Sequence, residues 1–241
     1  MLTGCNEAFI IDTAKRDEIL ANCQTEEERQ RTEALIRPIL RGRDIKHYGY
    51  VDNGLYLINT HNGVKGKIPR IDINDYPAVK AHLDQYWDKI SVRADKGDTP
   101  YNLRNCAYLE DFSKPKNIFQ EIVQESQYCY DETAHFMCND TCRIIVGANL
   151  PFLLGVLNSK LFFYSVKKFY GGGVLGDHGI RMKHTFFCNF PCIPYNAQVE
   201  REALKLSVHY DDLIAYSLDE LLFTLYSLTR EEITEIQKSL I

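Results

Sequence analysis

Residues 117–148 read NIFQEIVQESQYCYDETAHFMCNDTCRIIVGA, and this stretch decides the fold class. It contains four short apolar runs that are separated by turn-forming residues: 117–123, 128–131, 134–138 and 142–148. Runs of this length and spacing predict a meander of antiparallel strands. The segment that follows, 150–170, is apolar around most of a helical circumference and predicts a buried helix. Together these elements predict an α+β fold, an antiparallel or mixed sheet with packed helices.

Two further strands are predicted on the N-terminal side, at 8–12 and 55–60. The segment between them, 36–50, reads IRPILRGRDIKHYGY. One proline and two glycines interrupt it, so it predicts a series of turns rather than a regular helix. Side chains on such a segment can project outward instead of packing.

Helix starts are marked by capping signals, in which a side-chain oxygen can accept a hydrogen bond from a free backbone amide of the first turn. There are four of them: Thr25 with Glu28, Asp75 with Pro77, Ser217 with Glu220, and Thr229 with Glu232. The last two open short amphipathic helices and predict a small C-terminal helical cap. We therefore expect one domain over 1–195 and a helical extension over 196–241 that packs on it.

The charge of the chain is unevenly distributed. The net charge of −5 argues mildly against a nucleic-acid partner. However, residues 36–70 carry seven Lys or Arg against two Asp or Glu, and residues 160–184 carry five against one. Residues 200–241 reverse the balance, with four against nine. An anionic ligand would meet the two basic zones rather than the average.

The longest apolar run spans about eight residues, which is too short to cross a membrane. The N-terminus has no signal-peptide pattern, so we expect a cytoplasmic protein without disulfides. Two C-x3-C pairs, Cys138 with Cys142 and Cys188 with Cys192, could hold zinc, although small core residues are the favoured interpretation. His178 and His184 flank a glycine loop and could act as acid–base groups, although solvated or phosphate-contacting loop residues are favoured.

Known catalytic motifs are absent from the sequence. It has no phosphate-binding G-x-x-x-x-G-K-[ST], no G-x-S-x-G and no H-E-x-x-H. The glycine loop at 171–176 follows a predicted helix rather than a strand, so it does not match a dinucleotide-binding loop.

Three motifs carry a resemblance to a known family: RPILRGRDIKHY at 37–48, RADKGDTPYNLR at 93–104 and LNSK at 157–160. In this combination the sequence resembles the TaqI-like C-terminal specificity domain of type II and IIG restriction–modification enzymes, from about Thr3 to the end. Members of that family join an adenine-N6 DNA methyltransferase domain, sometimes with a nuclease, to a target-recognition domain. The resemblance implies a bacterial, sequence-specific module whose partner is double-stranded DNA.

The methyltransferase part of such enzymes is not in this sequence, so we expect either an excised piece or a natural fragment that does no chemistry alone. No cofactor or metal is expected in this chain. S-adenosylmethionine, with Mg²⁺ as a second candidate, would belong to the catalytic domains. A methyltransferase domain or subunit is the expected partner, in cis or in trans. Two alternatives stay open: an interaction subunit that docks on a separate methyltransferase chain, and a standalone enzyme such as a zinc hydrolase.

Eleven basic residues in three groups are the candidate DNA contacts, because Lys and Arg bind phosphates and Arg reads guanine. They lie on the turn-broken segment, on the 93–104 segment and beside the glycine loop: Arg37, Arg41, Arg43, Lys46, Arg93, Lys96, Arg104, Lys167, Lys168, Arg181 and Lys183. Tyr101 and Tyr170 could pack on sugars or bases.

Each of these basic residues has an alternative interpretation as a solvated charge or an internal ion pair. The pairs weighed are Arg43 with Asp44 or Asp12, Arg93 with Asp95, and Arg104 with Asp111. Because Gly97 and Pro100 set the shape of 93–104, we expect a structural corner with a DNA-facing edge, where Lys96 contacts phosphate. The C-terminal helices are expected to cap the core, with docking on the methyltransferase as the alternative.

Overall fold

The computed structural model describes residues 2–170 and 179–240, without the side chains of His184 and Phe186. Helices alternate with antiparallel and mixed sheets, which confirms the α+β prediction. The chain forms two compact units. The first comprises Met1–Leu40, Asp52–Lys114 and Ala134–Asp140, and the second comprises Arg41–Val51, Pro115–Thr133 and Thr141–Ile241. The expected boundary at residue 195 stays a prediction.

The strands of the described residues are β1 (Ile10–Asp12), β2 (Ile36–Leu40), β3 (Leu55–Ile58), β4 (Lys116–Gln120), β5 (Ile122–Val123), β6 (Tyr128–Asp131), β7 (Met137–Cys138), β8 (Cys142–Ile145) and β9 (Ile180–Arg181). The α-helices of the same residues are α1 (Asn6–Phe9), α2 (Thr13–Ala21), α3 (Glu26–Leu35), α4 (Pro77–Asp84), α5 (Trp87–Ile90), α6 (Leu150–Asn158), α7 (Lys160–Ser165), α8 (His184–Phe187), α9 (Ala197–Val208), α10 (Asp212–Leu225) and α11 (Arg230–Ser239). Within this part of the chain, no helix combines the length and the apolar character that a membrane crossing requires.

The first unit is built on a four-stranded sheet in the order β1-β3-β2-β7. Strand β3 is antiparallel to β1 and β2, and β7 runs parallel to β2, with Ile39 opposite Met137. The predicted meander is therefore wrong at 134–138. The buried Met137 and Cys138 side chains complete this sheet instead of joining their sequence neighbours.

Helix starts in the first unit follow their capping signals only in part. Thr25 caps α3, and its hydroxyl accepts a hydrogen bond from the Glu28 amide, as predicted. The expectation for Asp75 is wrong, because α4 begins after Tyr76 without a side-chain cap, although Pro77 occupies the first turn. The predicted strand at 8–12 is shortened to β1, since its first residues belong to α1.

The second unit contains an antiparallel sheet in the order β6-β4-β8 and a ribbon of β5 with β9. The predicted helix over 150–170 is interrupted at Ser159, which has an extended backbone and whose hydroxyl caps α7. The break has a tertiary cause: the side-chain amide of Asn158 accepts a hydrogen bond from the Tyr128 N–H and donates one to the Tyr128 carbonyl. These two bonds hold the end of α6 on strand β6.

The C-terminal helices share the hydrophobic core of the second unit. A side chain at Gly155 of α6 would meet Val199 and Ala203 of α9, which shows how closely the two helices pack. Thr229 and Glu232 form the predicted capping box of α11. The box predicted at Ser217 is wrong, because α10 already begins after Asp211 and the Ser217 hydroxyl donates to the Leu213 carbonyl.

Asp219 of α10 is a buried carboxylate that accepts a hydrogen bond from the Lys160 amide at 3.0 Å, at the start of α7. The Lys160 ammonium lies 3.7 Å from the same carboxylate. Burial raises the pKa of Asp219 from 3.8 to about 6, against the opposing effect of Lys160. Between about pH 4 and pH 6, the Asp219 carboxyl is therefore protonated in the folded protein but ionised in the unfolded chain.

The stability of the protein is expected to depend on pH through Asp219. Between about pH 4 and pH 6 the folded state binds more protons than the unfolded state, so the free energy of unfolding falls as pH rises, by up to about 3 kcal/mol. Urea denaturation at about pH 4.5 and pH 7 measures this. Asp219→Asn keeps a hydrogen-bond acceptor and should remove this part of the dependence. Equal pH slopes in the two proteins would contradict the assignment.

Candidate nucleic-acid interface

The turn-broken segment begins in one unit and ends in the other. Arg37 lies on β2 of the first unit, half-buried, and its guanidinium donates to the Ala134 carbonyl at 3.1 Å. The residues that follow, 41–51, belong to the second unit. There, Gly42–Asp44 forms a single 3-10 turn.

The 3-10 turn is locked by a two-pronged ion pair between Arg41 and Asp44. The Arg41 Nε and Nη2 atoms each lie 2.9 Å from an Asp44 carboxylate oxygen, and the Arg41 amide donates to the same carboxylate at 2.8 Å. Burial acts to raise the pKa of Asp44, but its bonds to Arg41 outweigh that effect, so the pKa is lowered. The expected Arg43–Asp44 pair is therefore wrong: Arg41 is the partner of Asp44.

This pairing leaves Arg43 at the exposed apex of the turn. Among the described residues its guanidinium has no hydrogen bond or ion pair. The Lys46 ammonium donates to the Arg43 carbonyl at 3.0 Å. Just beyond, the buried Tyr48 has a left-handed backbone (φ 62°) and stacks on His47, whose Nε2 lies 3.0 Å from the Asn158 carbonyl oxygen. The turn is thus supported on both sides, and the Arg43 and Lys46 side chains are both exposed.

The turn is seated against the sheet of the same unit at Gly42. Its amide donates to the Thr141 hydroxyl at 2.8 Å, and a side chain at this position would meet Thr141 and Gln120. The Thr141 carbonyl in turn accepts from the Glu121 amide at 3.1 Å. Only glycine allows this approach. The turn is therefore held at the end of β4 and the start of β8.

Glu121 connects this place to β9. Its carbonyl accepts from the Met182 amide at 2.6 Å, and its carboxylate forms ion pairs with Arg143 of β8 and with Arg181 of β9. Lys183 follows two residues after Arg181. Residues 120–121 thus contact three segments that carry basic residues: the turn through Gly42, β8 through Arg143 and β9 through Arg181. We call this set the basic cluster: Arg43, Lys46, Arg143, Arg181 and Lys183.

Arg143 is the member of the basic cluster that the sequence reading missed. A signal for it is present: it is the charged residue of the otherwise apolar run CRIIVGA. On a strand, a lone charge next to a buried residue points to the opposite face, and Cys142 is buried while Arg143 is exposed.

The other two predicted residues beside the glycine loop have contacts elsewhere. The Lys167 ammonium donates to the Ser239 carbonyl at 3.1 Å, and the Lys168 ammonium lies 3.6 Å from Glu235, both on α11. No contact of the described residues joins either lysine to the basic cluster. The glycine loop and His178, at 171–178, lie outside the described residues, as does the side chain of His184.

The comparison with protein families matches a model described as the TaqI-like C-terminal specificity domain over residues 37–173. This range covers more than half of the chain and includes both the turn and Arg143. The chain belongs to this family. It is a DNA sequence-specificity module of the kind found in restriction–modification enzymes. A comparison with curated proteins gave no match.

In this specificity domain the 93–104 segment is a closed corner of the first unit. Arg93 is 6% exposed, and its guanidinium donates to the carbonyls of Thr3, Asp95, Pro100 and Asn102. The guanidinium also lies over the Phe9 ring, 4.4 Å from its centroid. Burial lowers the pKa of Arg93. The predicted structural corner is confirmed. Because the Arg93 guanidinium is bonded to these carbonyls, it is not available to contact DNA.

The outer edge of the corner carries the remaining candidates. The Lys96 ammonium donates to the Ser91 carbonyl at 2.7 Å. Arg104 pairs with Asp95 at 3.2 Å, so the alternative of an Arg104–Asp111 pair is wrong. The Tyr101 hydroxyl donates to Asp84 at 2.6 Å. Lys96 and Arg104 are both exposed, and their contact with DNA stays a prediction.

The cysteines of the specificity domain are divided between the two units. Cys138 and Cys142 are buried strand residues, whereas Cys188 and Cys192 are exposed, so the expectation of a core position is wrong for the second pair. Within the described ranges, 2–170 and 179–240, no three His, Cys, Asp or Glu side chains form a group that could hold a metal ion.

Proposed function

We propose that this specificity domain binds double-stranded DNA through the basic cluster and supplies target recognition to an adenine-specific type II or IIG restriction–modification enzyme. One observation carries the proposal: the Arg43 guanidinium projects, without a partner among the described residues, from a turn that Arg41, Asp44 and Thr141 hold rigid. An unpaired cation on a fixed support is suited to an external anion.

Arg41 and Asp44 explain why Arg43 stays available. With Asp44 saturated by Arg41, the carboxylate closest in sequence to Arg43 is already neutralised. Arg43 can therefore contact a phosphate without first breaking an internal ion pair. Contacts of this kind supply most of the affinity for DNA and position the protein on it, whereas base contacts supply the sequence preference.

We infer that the chain is not catalytic by itself. Methyl transfer would be performed by a methyltransferase domain or subunit, in cis or in trans, and that partner would bind S-adenosylmethionine and any Mg²⁺.

Docking on a separate methyltransferase chain is a second candidate function. It is favoured by three exposed apolar side chains near the connection of α9 to α10: Val208 and Leu213 are 88% and 77% exposed, and Tyr216 is half exposed. Large apolar side chains grouped on a surface are typical of protein contacts. Co-purification of a methyltransferase that is lost on Val208→Ser with Leu213→Ser would support this function, and unchanged recovery would exclude the patch.

The DNA-binding proposal is tested by removing two cations at the turn. In the double variant Arg43→Ala with Lys46→Ala, the plot of log affinity against log salt concentration should lose about 2 units of slope, because each lost phosphate contact removes about one. Fluorescence anisotropy on a random-sequence duplex at several salt concentrations measures this.

The matched control is Arg201→Ala with Lys205→Ala, which removes the same charge from exposed positions of α9 in the same unit. The control should keep the wild-type slope. Equal losses of slope in both double variants would indicate a non-specific charge effect. Affinity that does not depend on salt would overturn the proposal.

A further inference from the structure

Glu121 is an acidic residue in the middle of the basic cluster. Its carboxylate is only 16% exposed and is shared between two guanidiniums, since Oε2 pairs with Arg143 Nη2 and Oε1 lies 3.8 Å from Arg181 Nε. The two arginine side chains are 43% and 40% exposed, so they remain accessible to a ligand. One carboxylate thus holds two accessible arginines.

The backbone of Glu121 is fixed on both sides. Gln120 is paired with Cys142 at the end of β4, and Ile122 is paired with Arg181 in the ribbon of β5 and β9. Arg143 is held by a second bond, from Nη1 to the Cys142 carbonyl at 2.8 Å. The Glu121 side chain therefore starts from a fixed backbone position at the junction between two strand pairings.

A half-buried acid is unfavourable in a surface that only needs affinity for phosphate, because it cancels one positive charge and repels the DNA backbone. Its presence makes physical sense if orientation matters more than total charge. A free arginine side chain has many rotamers, whereas bidentate recognition of guanine O6 and N7 needs the planar guanidinium in one position.

We propose that Glu121 is a specificity-determining positioning residue, which orients Arg143 and Arg181 for base recognition and prevents them from turning to the nearest phosphate. Arg43 and Lys46, which no described carboxylate holds by an ion pair, supply the phosphate contacts beside them. This inference rests on the proposed DNA-binding function and assigns separate roles within the basic cluster.

The test is Glu121→Gln, which keeps the shape of the side chain and removes its charge. A preferred duplex is first enriched from a random-sequence pool by selection with the wild-type protein. Dissociation constants are then measured for this selected duplex and for a scrambled duplex of equal length, at several salt concentrations. We expect tighter binding to the scrambled duplex, a salt slope steeper by about 1, and a ratio between the two duplexes that falls about 10-fold.

The control is Glu125→Gln, which removes the same charge from an exposed position of the same unit. It should change the ratio between the two duplexes less than 2-fold, which is well below the change expected when a bidentate base contact is lost. Arg143→Lys retains the charge but not the planar fork, so it should keep the salt slope and lower the ratio. A purely structural role for Glu121 would instead weaken binding to both duplexes and lower the free energy of unfolding.

The outcomes separate this inference from the proposed function. If the wild-type protein binds in a salt-dependent way and prefers its selected site, while Glu121→Gln keeps the full ratio, the positioning role is overturned and DNA binding stands. A wild-type protein without any site preference would also overturn the positioning role. Loss of salt-dependent binding in the wild type would overturn both.

Discussion

Arg93→Ala is expected to lower the free energy of unfolding by about 4 kcal/mol, enough to remove much of the stability of a typical domain. The guanidinium is buried and donates to four carbonyl oxygens that come from both sides of the corner. Alanine would remove the donor from all four oxygens and the packing on Phe9, although the Asn102 carbonyl would keep its bond from the Gly97 amide. Urea denaturation followed by circular dichroism measures the loss.

Arg104→Ala is the matched control for this prediction. Arg104 lies in the same corner, but its pair with Asp95 is exposed, so its removal should cost less than about 1 kcal/mol. DNA binding gives a second readout. If Arg93 were a phosphate contact, Arg93→Ala would fold with wild-type stability and show a shallower salt slope, and the structural role assigned to it would be wrong.

Lys116→Met is the second change with a large expected effect. Lys116 of β4 and Asp131 of β6 are directly opposite each other, their side chains are 0% and 3% exposed, and their charged atoms are 2.7 Å apart. Removal of the lysine would leave a buried carboxylate without its counter-charge. We expect a loss of about 3–5 kcal/mol in urea denaturation at neutral pH.

Two comparisons isolate the ion pair. Lys116→Met combined with Asp131→Leu removes both charges and should recover most of the lost stability, because apolar residues often replace a buried pair without cost. Lys114, two residues before Lys116, forms a more exposed pair with Asp111. Lys114→Met breaks this pair and should cost less than about 1 kcal/mol. A double variant as unstable as the single one would show that packing, not charge, dominates at this position.

The sequence predicted the parts of the fold that depend on neighbouring residues. Thr25 and Thr229 cap their helices because the hydroxyl and its amide partner lie within one turn. Ser217 carries the same local signal and fails, since Asp211 had already started the helix. The break at Ser159 and the position of β7 depend on Tyr128 and Ile39, which are distant in the sequence, so no local pattern could reveal them.

The candidate site shows the same limit. In the sequence, Arg41 and Arg43 were equivalent candidates. In the structure, Arg41 pairs with Asp44, whereas Arg43 is exposed. Arg93 was a candidate DNA contact with Asp95 as its alternative partner, but its guanidinium binds four carbonyl oxygens, including that of Thr3 at the far N-terminus. Glu121 could not be recognised at all from the sequence, because its role depends on β9, which follows it by almost 60 residues.

The interleaving of the two units limits how a protein of this kind can acquire variants by recombination. The chain passes between the units five times, at 40/41, 51/52, 114/115, 133/134 and 140/141. A single genetic crossover replaces everything on one side of one point, and at each interior point it would divide at least one unit between two parents. Mosaic genes would therefore carry mismatched sheets and cores. New target preferences should arise by substitution of individual side chains on an intact scaffold, or by exchange of the whole module.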